Sequence, residues 1–290
     1  PFFKARGDME ESDCIVANHD LVMADLALGG GAILPEPENC IYICDEGHRL
    51  GDTAIRHFGA ECRINGTLSW LERIPKQCKG QTTLFAKDKT LAEQLPKIES
   101  EAENLCDLLA MAYPVMRDYI DRSEEFDSSF RFSHGDVGTT IRDIATQIVK
   151  HTSTWLGRLE VLEDTLSDAL SDKQYPVAIA DIEVFYQQAG SWLSGAERLM
   201  MLCDRLRKET KIGEALIACW LKLDDLADGN LDISINASPI QAAEILKDRL
   251  WGNCYASVLT SATLRSLGNF NALQRETGIP SSSRFLSVAG

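Results

Sequence analysis

Between residues 88 and 210, apolar side chains recur every three or four positions in three long series, and no other feature of the 290-residue chain constrains its fold as tightly. The first series is Leu91, Leu95, Ile98, Ala102, Leu105, Leu109, Ala112 and Met116. The second is Ile141, Ile144, Ile148, Trp155, Leu159, Leu162, Leu166 and Leu170. The third is Ile179, Ile182, Tyr186, Ala189, Leu193, Ala196, Met200, Cys203 and Leu206. Such spacing places each series on one face of a long helix. Three helices that must each bury a face predict an antiparallel bundle. Pro96 and Pro114 lie inside the first series, where proline kinks or divides a helix. Residues 123–138, SEEFDSSFRFSHGDVG, are a long polar connection and a candidate mobile loop.

The flanks have a different rhythm. Residues 13–17 (DCIVA) and 41–45 (IYICD) read as short buried strands, with a helix over 19–28 and the loop GGGAILPEPEN between them. Strand, helix, loop and strand in that order predict a parallel α/β sheet. Beyond the bundle, 218–225 and 231–238 flank the turn ADGN, a hairpin signal. Ser238-Pro239-Ile240-Gln241 has the form of a capping box, so a helix is expected over 239–251. YASVLTSATL, 255–264, reads as another buried strand, and Asn269 to Glu276 as a short helix stopped by Gly278. The expected architecture is an incomplete α/β sheet interrupted by a mostly helical insertion.

Composition excludes several classes. A net charge of −15 argues against wrapping nucleic acid by bulk electrostatics, while leaving room for a local basic groove. Nine cysteines, an odd number with no C-x-x-C, disfavour a zinc or disulfide framework and fit reduced thiols in a cytoplasm. No apolar run approaches 18 residues, so a membrane span is not expected. The chain opens on PFFKAR without an initiator Met and stops at LSVAG, which reads as an internal piece of a longer protein.

Two places carry chemistry. At IYICDEGHRL, 41–50, an apolar run ends on Asp45 and Glu46, the Walker B form. Nucleotide hydrolysis needs one carboxylate for the Mg²⁺ that bridges the phosphates and another to orient and deprotonate the attacking water. Metal and water are adjacent, so adjacent acids fit. His48, three residues after the aspartate, can reach a neighbouring loop. A solvated acidic turn after an edge strand would use the same residue types. At Thr260-Ser261-Ala262-Thr263, small hydroxyl residues end a strand and can hydrogen-bond a neighbouring loop, or simply cap a helix. Gly29-Gly30-Gly31 is followed by no lysine and reads as a flexible loop. No G-x-x-x-x-G-K-[ST] occurs, so the chain lacks a Walker A loop.

Together, DEGH (45–48) and LTSATLRSLGNF (259–270) resemble motifs II and III of superfamily 2 helicases, and their wording is most similar to the DinG-type helicases, bacterial relatives of the XPD-like iron–sulfur helicases. PFFKAR, IVANHDLVMADL and LPEP are similar to the segment that precedes motif II in that family. The resemblance is at motif level in 1–52 and 230–280, and rests on position and helicity in between. It implies a RecA-like, P-loop NTPase-type domain in 1–66 and again in 216–290, and an arch-like helical insertion over 67–215. It implies Asp45 as the Mg²⁺ ligand, Glu46 as the catalytic base in contact with ATP, His48 as the coupling histidine, and Ser261 and Thr263 as links between ATP state and DNA movement. Asn18 and His19 fall in the family's N-H box. Candidate DNA contacts are Asn18, His19, Arg56 and Lys76, with Trp70, Arg73 and Lys79; Trp155 and Trp192 are expected in the core.

The implied parent is a bacterial, cytoplasmic, monomeric helicase. It would use ATP and Mg²⁺ to move 5′ to 3′ along single-stranded DNA and open forked or displaced-strand DNA, in repair or in resolving replication conflicts. Its 4Fe–4S cluster ligands and second RecA-like domain would lie outside these residues, and none of the nine cysteines matches the cluster pattern. Lacking Walker A, the chain alone is expected to be inactive. The alternative is a non-catalytic helical interaction module on a vestigial α/β base, which would have no reason to keep Asp45 and Glu46 beside a matching S-A-T strand.

Overall fold

The computed structural model describes residues 9, 12–123, 128–209, 217–225 and 229–287. The opening PFFKAR, residues 124–127 of the polar connection, Ala227 and Asp228 of the hairpin turn and the last three residues of LSVAG lie outside them. The elements in chain order are α1 (His19–Ala27), β1 (Ile41–Cys44), α2 (Leu50–His57), β2 (Ala60–Arg63), α3 (Ile64–Leu71), α4 (Ile74–Leu84), α5 (Lys89–Asp121), β3 (Ser129–Arg131), α6 (Gly138–Ser171), α7 (Ile179–Leu206), β4 (Ile217–Asp225), β5 (Leu231–Pro239), α8 (Ala242–Leu246, continuing as a π-turn Lys247–Trp251), β6 (Ala256–Leu259) and α9 (Asn271–Thr277). Two compact units result. The described residues of one fall in Pro1–Gly59 and Ser238–Gly290, and those of the other in Ala60–Ile212 and Ile217–Ala237.

In the larger unit, α5, α6 and α7 pack in sequence with α3 and α4 against α5. Every residue of the first apolar series is buried on α5. The helix starts at Asp88, whose carboxylate accepts from Leu91 N at 3.0 Å. Proline inside a helix predicts a kink or division at Pro96 and Pro114, yet α5 is one helix of 33 residues. Both prolines lie away from its buried stripe, where water can satisfy the carbonyls they release. On α7 the buried face is Ile182, Phe185, Ala189, Trp192, Ala196, Leu199, Leu202, Cys203 and Leu206, rotated from the expected series; Ile179 is exposed, and Tyr186 and Leu193 are only half-buried. The bulky rings of Phe185 and Trp192 take the core in their place. Trp155 and Trp192 are buried, as expected.

A four-stranded sheet, order β2-β5-β4-β3, shares this core through Cys62, Cys219, Leu221, Ile233 and Ile235. The neighbouring β4 and β5 match the expected hairpin. The polar connection after α5 contributes β3, which pairs antiparallel with β4, so it is not loop throughout. Asp232, buried in β5, accepts from Asn65 N at 2.8 Å, Gly66 N at 3.0 Å and Ile233 N at 2.8 Å. It thereby satisfies the first donors of α3.

The smaller unit is built on a parallel pair, β1 with β6, in the register Ile41↔Ala256 to Cys44↔Leu259. One face packs on Met23, Leu26, Leu50, Ala54, Ala242, Leu246, Leu250 and Trp251. The other face is not buried as expected: Ile41 is 60% exposed and Ile43 71%. Residues 13–17, expected as a strand, form no ladder, because no described strand lies beside them. Ser238 and Pro239 end β5 instead of opening a helix, and α8 begins at Ala242 after Gln241, so the capping box does not form. Backbone pairing has claimed the residues that would have capped it. Helix α9 ends at Gly278 as expected, at φ 63°, where a Cβ would stand 2.5 Å from Ala243 O. The architecture is compatible with part of an α/β domain.

Candidate active site

The site grows from the ends of β1 and β6. The ladder continues one step beyond the strands: Thr260 N donates to Cys44 O, and Gly47 N to Thr260 O, both at 2.9 Å. Between them stands Glu46 at φ 51°, ψ 39°, left-handed and not glycine. Such a conformation costs on the order of 1 kcal/mol or more and is concentrated at functional sites. It turns the chain sharply into Gly47–Arg49, a single 3₁₀ turn leading to α2. A Cβ on Gly47 would press to 3.1 Å from Leu259, so glycine permits the two strand ends to close.

This closure gathers side chains 213 and 215 residues apart in sequence. Thr260 Oγ1 donates to Asp45 Oδ1 at 2.9 Å. His48 Nδ1 lies 2.8 Å from Ser261 Oγ and 3.2 Å from Glu46 Oε2. Ser261 Oγ donates to Glu46 Oε2 at 3.3 Å, accepts from Thr263 N at 3.2 Å and lies 3.3 Å from Thr263 Oγ1. Ser261 has one proton to give. With it on Glu46, the short contact to His48 requires a hydrogen on Nδ1, which can also serve the carboxylate. The expected adjacency of the two strands, with His48 beside the S-A-T turn, is therefore present. Asp45, Glu46 and His48 are exposed, so their geometry is set by these hydrogen bonds rather than by packing.

The remaining candidates scatter. Asn18 is the N-cap of α1 and accepts from Leu21 N at 2.8 Å; His19 is the first residue of that helix. Arg56, on α2, pairs with Asp20 at 3.1 Å. In the other unit, Trp70 meets Trp155 edge-on with centroids 5.7 Å apart and covers Gly195, where a Cβ would lie 2.5 Å from its ring. Trp70 is therefore largely a packing residue. Arg73 Nε bonds Ser69 O at 2.9 Å, Lys79 pairs with Glu99 at 2.9 Å, and Lys76 lies on α4.

Sequence reasoning included Thr260 in the hydroxyl run but gave it no role of its own, although its hydroxyl reaches Asp45, and it missed Asp25. The carboxylate of Asp25 is fully buried and accepts from Gly31 N at 3.1 Å, Ile33 N at 2.6 Å and Leu34 N at 3.1 Å. It shapes the glycine run, in which Gly29, Gly30 and Gly31 all have positive φ. An acid inside an apolar helix, a few residues before glycines, was the available signal.

All nine cysteines are free thiols. Burial pushes Cys44 and Cys62 up to about 11 and Cys78 up to about 12. Among the described residues no cluster of three or more His, Cys, Asp or Glu could hold a metal ion. No helix among them is long and apolar enough to cross a membrane.

A parallel pair that sets an Asp-Glu strand end against a Ser-Ala-Thr strand end is the arrangement expected of a helicase of the resembled class. No family model matches the chain. Curated proteins do match it across nearly its whole length, and each of the following is named ATP-dependent DNA helicase DinG. The protein from Photobacterium profundum is 31% identical over 291 residues, covering 100% of this chain and 41% of that protein. That from Salmonella typhimurium is 30% identical, and that from Escherichia coli 28% identical, each match covering 96% of this chain and 38% of the relative. The resemblance first seen in two motifs is borne out as homology to the DinG helicases, and the chain spans about two-fifths of the length of the relatives it matches.

Proposed function

We propose that this chain is the central part of an ATP-dependent DNA helicase, carrying motif II, an arch-like insertion and motif III on a RecA-like domain. The observation that carries the reading is the hydrogen-bonded set Asp45–Thr260 and Glu46–Ser261–His48, assembled from two strand ends distant in sequence. A solvated acidic turn has no need of such partners, and nothing in the geometry favours a non-catalytic module. The segments 1–66, 67–215 and 216–290 are proposed as first domain, insertion and return. The relatives' name extends the proposal to the parent: ATP as substrate and DNA as partner. Movement 5′ to 3′ on single-stranded, forked or displaced-strand DNA, a repair or replication-conflict role, a cytoplasmic monomer and a 4Fe–4S cluster held by residues outside this chain complete it.

Mg²⁺ fits the donors present. Asp45 Oδ1 is engaged by Thr260 Oγ1 and Glu46 N, while Oδ2 accepts no hydrogen bond from a described residue. One hard oxygen with few protein partners suits a cation that is commonly held by one or two carboxylates, phosphates and water. Asp45 would hold it, and the ion would offset charge on the transferring phosphoryl group. Glu46 Oε2 is held by Ser261 and His48, leaving Oε1 to take a proton from water. His48 and Ser261 couple that carboxylate to the β6 end, so a shift of either strand end moves the base. Asn18, His19, Arg56 and Lys76 remain proposed DNA contacts.

The test uses two proteins. The isolated 290-residue chain should show no DNA-stimulated ATPase activity, since it has no Walker A lysine, and appreciable Mg²⁺-dependent turnover would contradict this. In the full-length protein, Glu46→Gln should abolish hydrolysis and spare ATP binding; unwinding that survives the change would remove Glu46 as the base.

A further inference from the structure

We propose that Thr260 is the positioning residue for Asp45, the role resting on the nucleotide-site reading above. Three hydrogen bonds converge on this one residue. Its N–H and its carbonyl are both taken, by Cys44 O and Gly47 N, each at 2.9 Å. These partners flank Asp45 and Glu46 on the opposite strand, so the backbone of Thr260 bridges the carboxylate pair. The third bond is the hydroxyl to Asp45 Oδ1 at 2.9 Å. The same oxygen accepts from Glu46 N at 3.0 Å.

Two donors on one carboxylate oxygen fix the rotation of the group and leave Oδ2 without a hydrogen bond from a described residue. Threonine suits the task because its β-branch restricts χ1, so a clamped backbone gives a clamped hydroxyl. Ser261 cannot substitute: its proton serves Glu46, and its lone pairs face His48 and Thr263 N. The two hydroxyls thus divide the pair, Thr260 holding the metal-side acid and Ser261 the base. A purely structural account of Thr260, as a β-branched residue ending a ladder, makes a different prediction, since valine would then serve equally well.

The experiment titrates Mg²⁺ into full-length protein with N-methylanthraniloyl-ADP and reads binding by fluorescence, without turnover. Thr260→Val should raise the Mg²⁺ concentration for half-maximal binding by about tenfold, the scale of one hydrogen bond to a charged group. Binding of the same nucleotide in EDTA and the thermal midpoint should stay at the wild-type values. Thr260→Ser, which keeps the hydroxyl, should return the Mg²⁺ requirement to within about twofold of wild type. A Val variant with the wild-type Mg²⁺ requirement overturns the proposal, and so does a Ser variant as impaired as Val. Wild-type protein that binds no Mg²⁺-nucleotide at all overturns the nucleotide-site reading itself, and Thr260's role with it.

Discussion

The helical unit and the strand-pair unit both bury a carboxylate under three backbone N–H groups, yet they reach their decisive contacts over very different lengths of chain. In the helical unit, the buried face of α5 follows from spacings of three and four residues, and α6 reaches its partner α7 through the short connection 172–178. In the strand-pair unit the contacts of the candidate site are not local: Asp45 meets Thr260, and Glu46 meets Ser261, across 215 positions. The first is held by a large apolar core that tolerates local error. In the second, Asp45, Glu46 and His48 are exposed and held by a few hydrogen bonds, above a smaller core that packs on one face of the strand pair. Stability and chemistry are thus carried by different parts of the chain, and changes in one should leave the other's signature intact.

The largest test of that separation is Trp155→Ala. Trp155 is fully buried between Trp70 and the bundle, and its loss should cost about 3–5 kcal/mol of the helical unit's stability, seen as a lower urea midpoint by far-ultraviolet circular dichroism. Nucleotide affinity at temperatures where the variant is folded should not change. The converse is Glu46→Gln, expected to lower hydrolysis by at least about a hundredfold while the urea midpoint stays where it was. If either substitution moves both readouts, the separation is wrong.

Smaller effects sharpen the comparison. Asp232→Asn in the helical unit and Asp25→Asn in the other each place an amide NH₂ group among backbone donors. Each should cost about 1–3 kcal/mol. The Asp232 change should lower the main unfolding transition, whereas the Asp25 change should chiefly speed hydrogen exchange at Gly31, Ile33 and Leu34. Equal global losses would show that the two carboxylates do not act at different ranges.

The smallest effect concerns pH. Burial raises the thiols of Cys62 and Cys78 to about 11 and about 12 from an ordinary 9.0, and that of Cys203 well above it. A thiol whose folded value is raised stays protonated when the unfolded chain has lost its proton. Stability is therefore complete below about pH 9 and falls as pH rises toward the folded values. The urea midpoint of the helical unit should drop between about pH 8.5 and 10.5, each buried thiol contributing on the order of 1 kcal/mol. A midpoint that rises over that range would contradict the burial of these cysteines.

Particular residues mark what was legible. The series from Leu91 to Met116 reappears on α5 residue for residue, because helical period is a property of the backbone and needs no knowledge of partners. On α7 the same spacing fits Tyr186 and Leu193, while Phe185 and Trp192 are the buried residues; two adjacent stripes fit the period, and only packing against neighbours selects one. DCIVA has strand composition but no strand beside it among the described residues, and Ser238-Pro239 has cap chemistry but is taken by β5.

What the sequence determined by itself was the buried face of α5, the turn at Gly278 and the residue types at the site: two acids, a histidine and a run of hydroxyls. Tertiary structure alone decided that Glu46 turns left-handed, that Asp25 and Asp232 are buried acceptors, and that Thr260 rather than a neighbour holds Asp45. The physical reason is range. Local spacing is enforced within a turn or two of backbone, whereas the partner of a strand-end carboxylate is chosen by which distant strand completes the ladder.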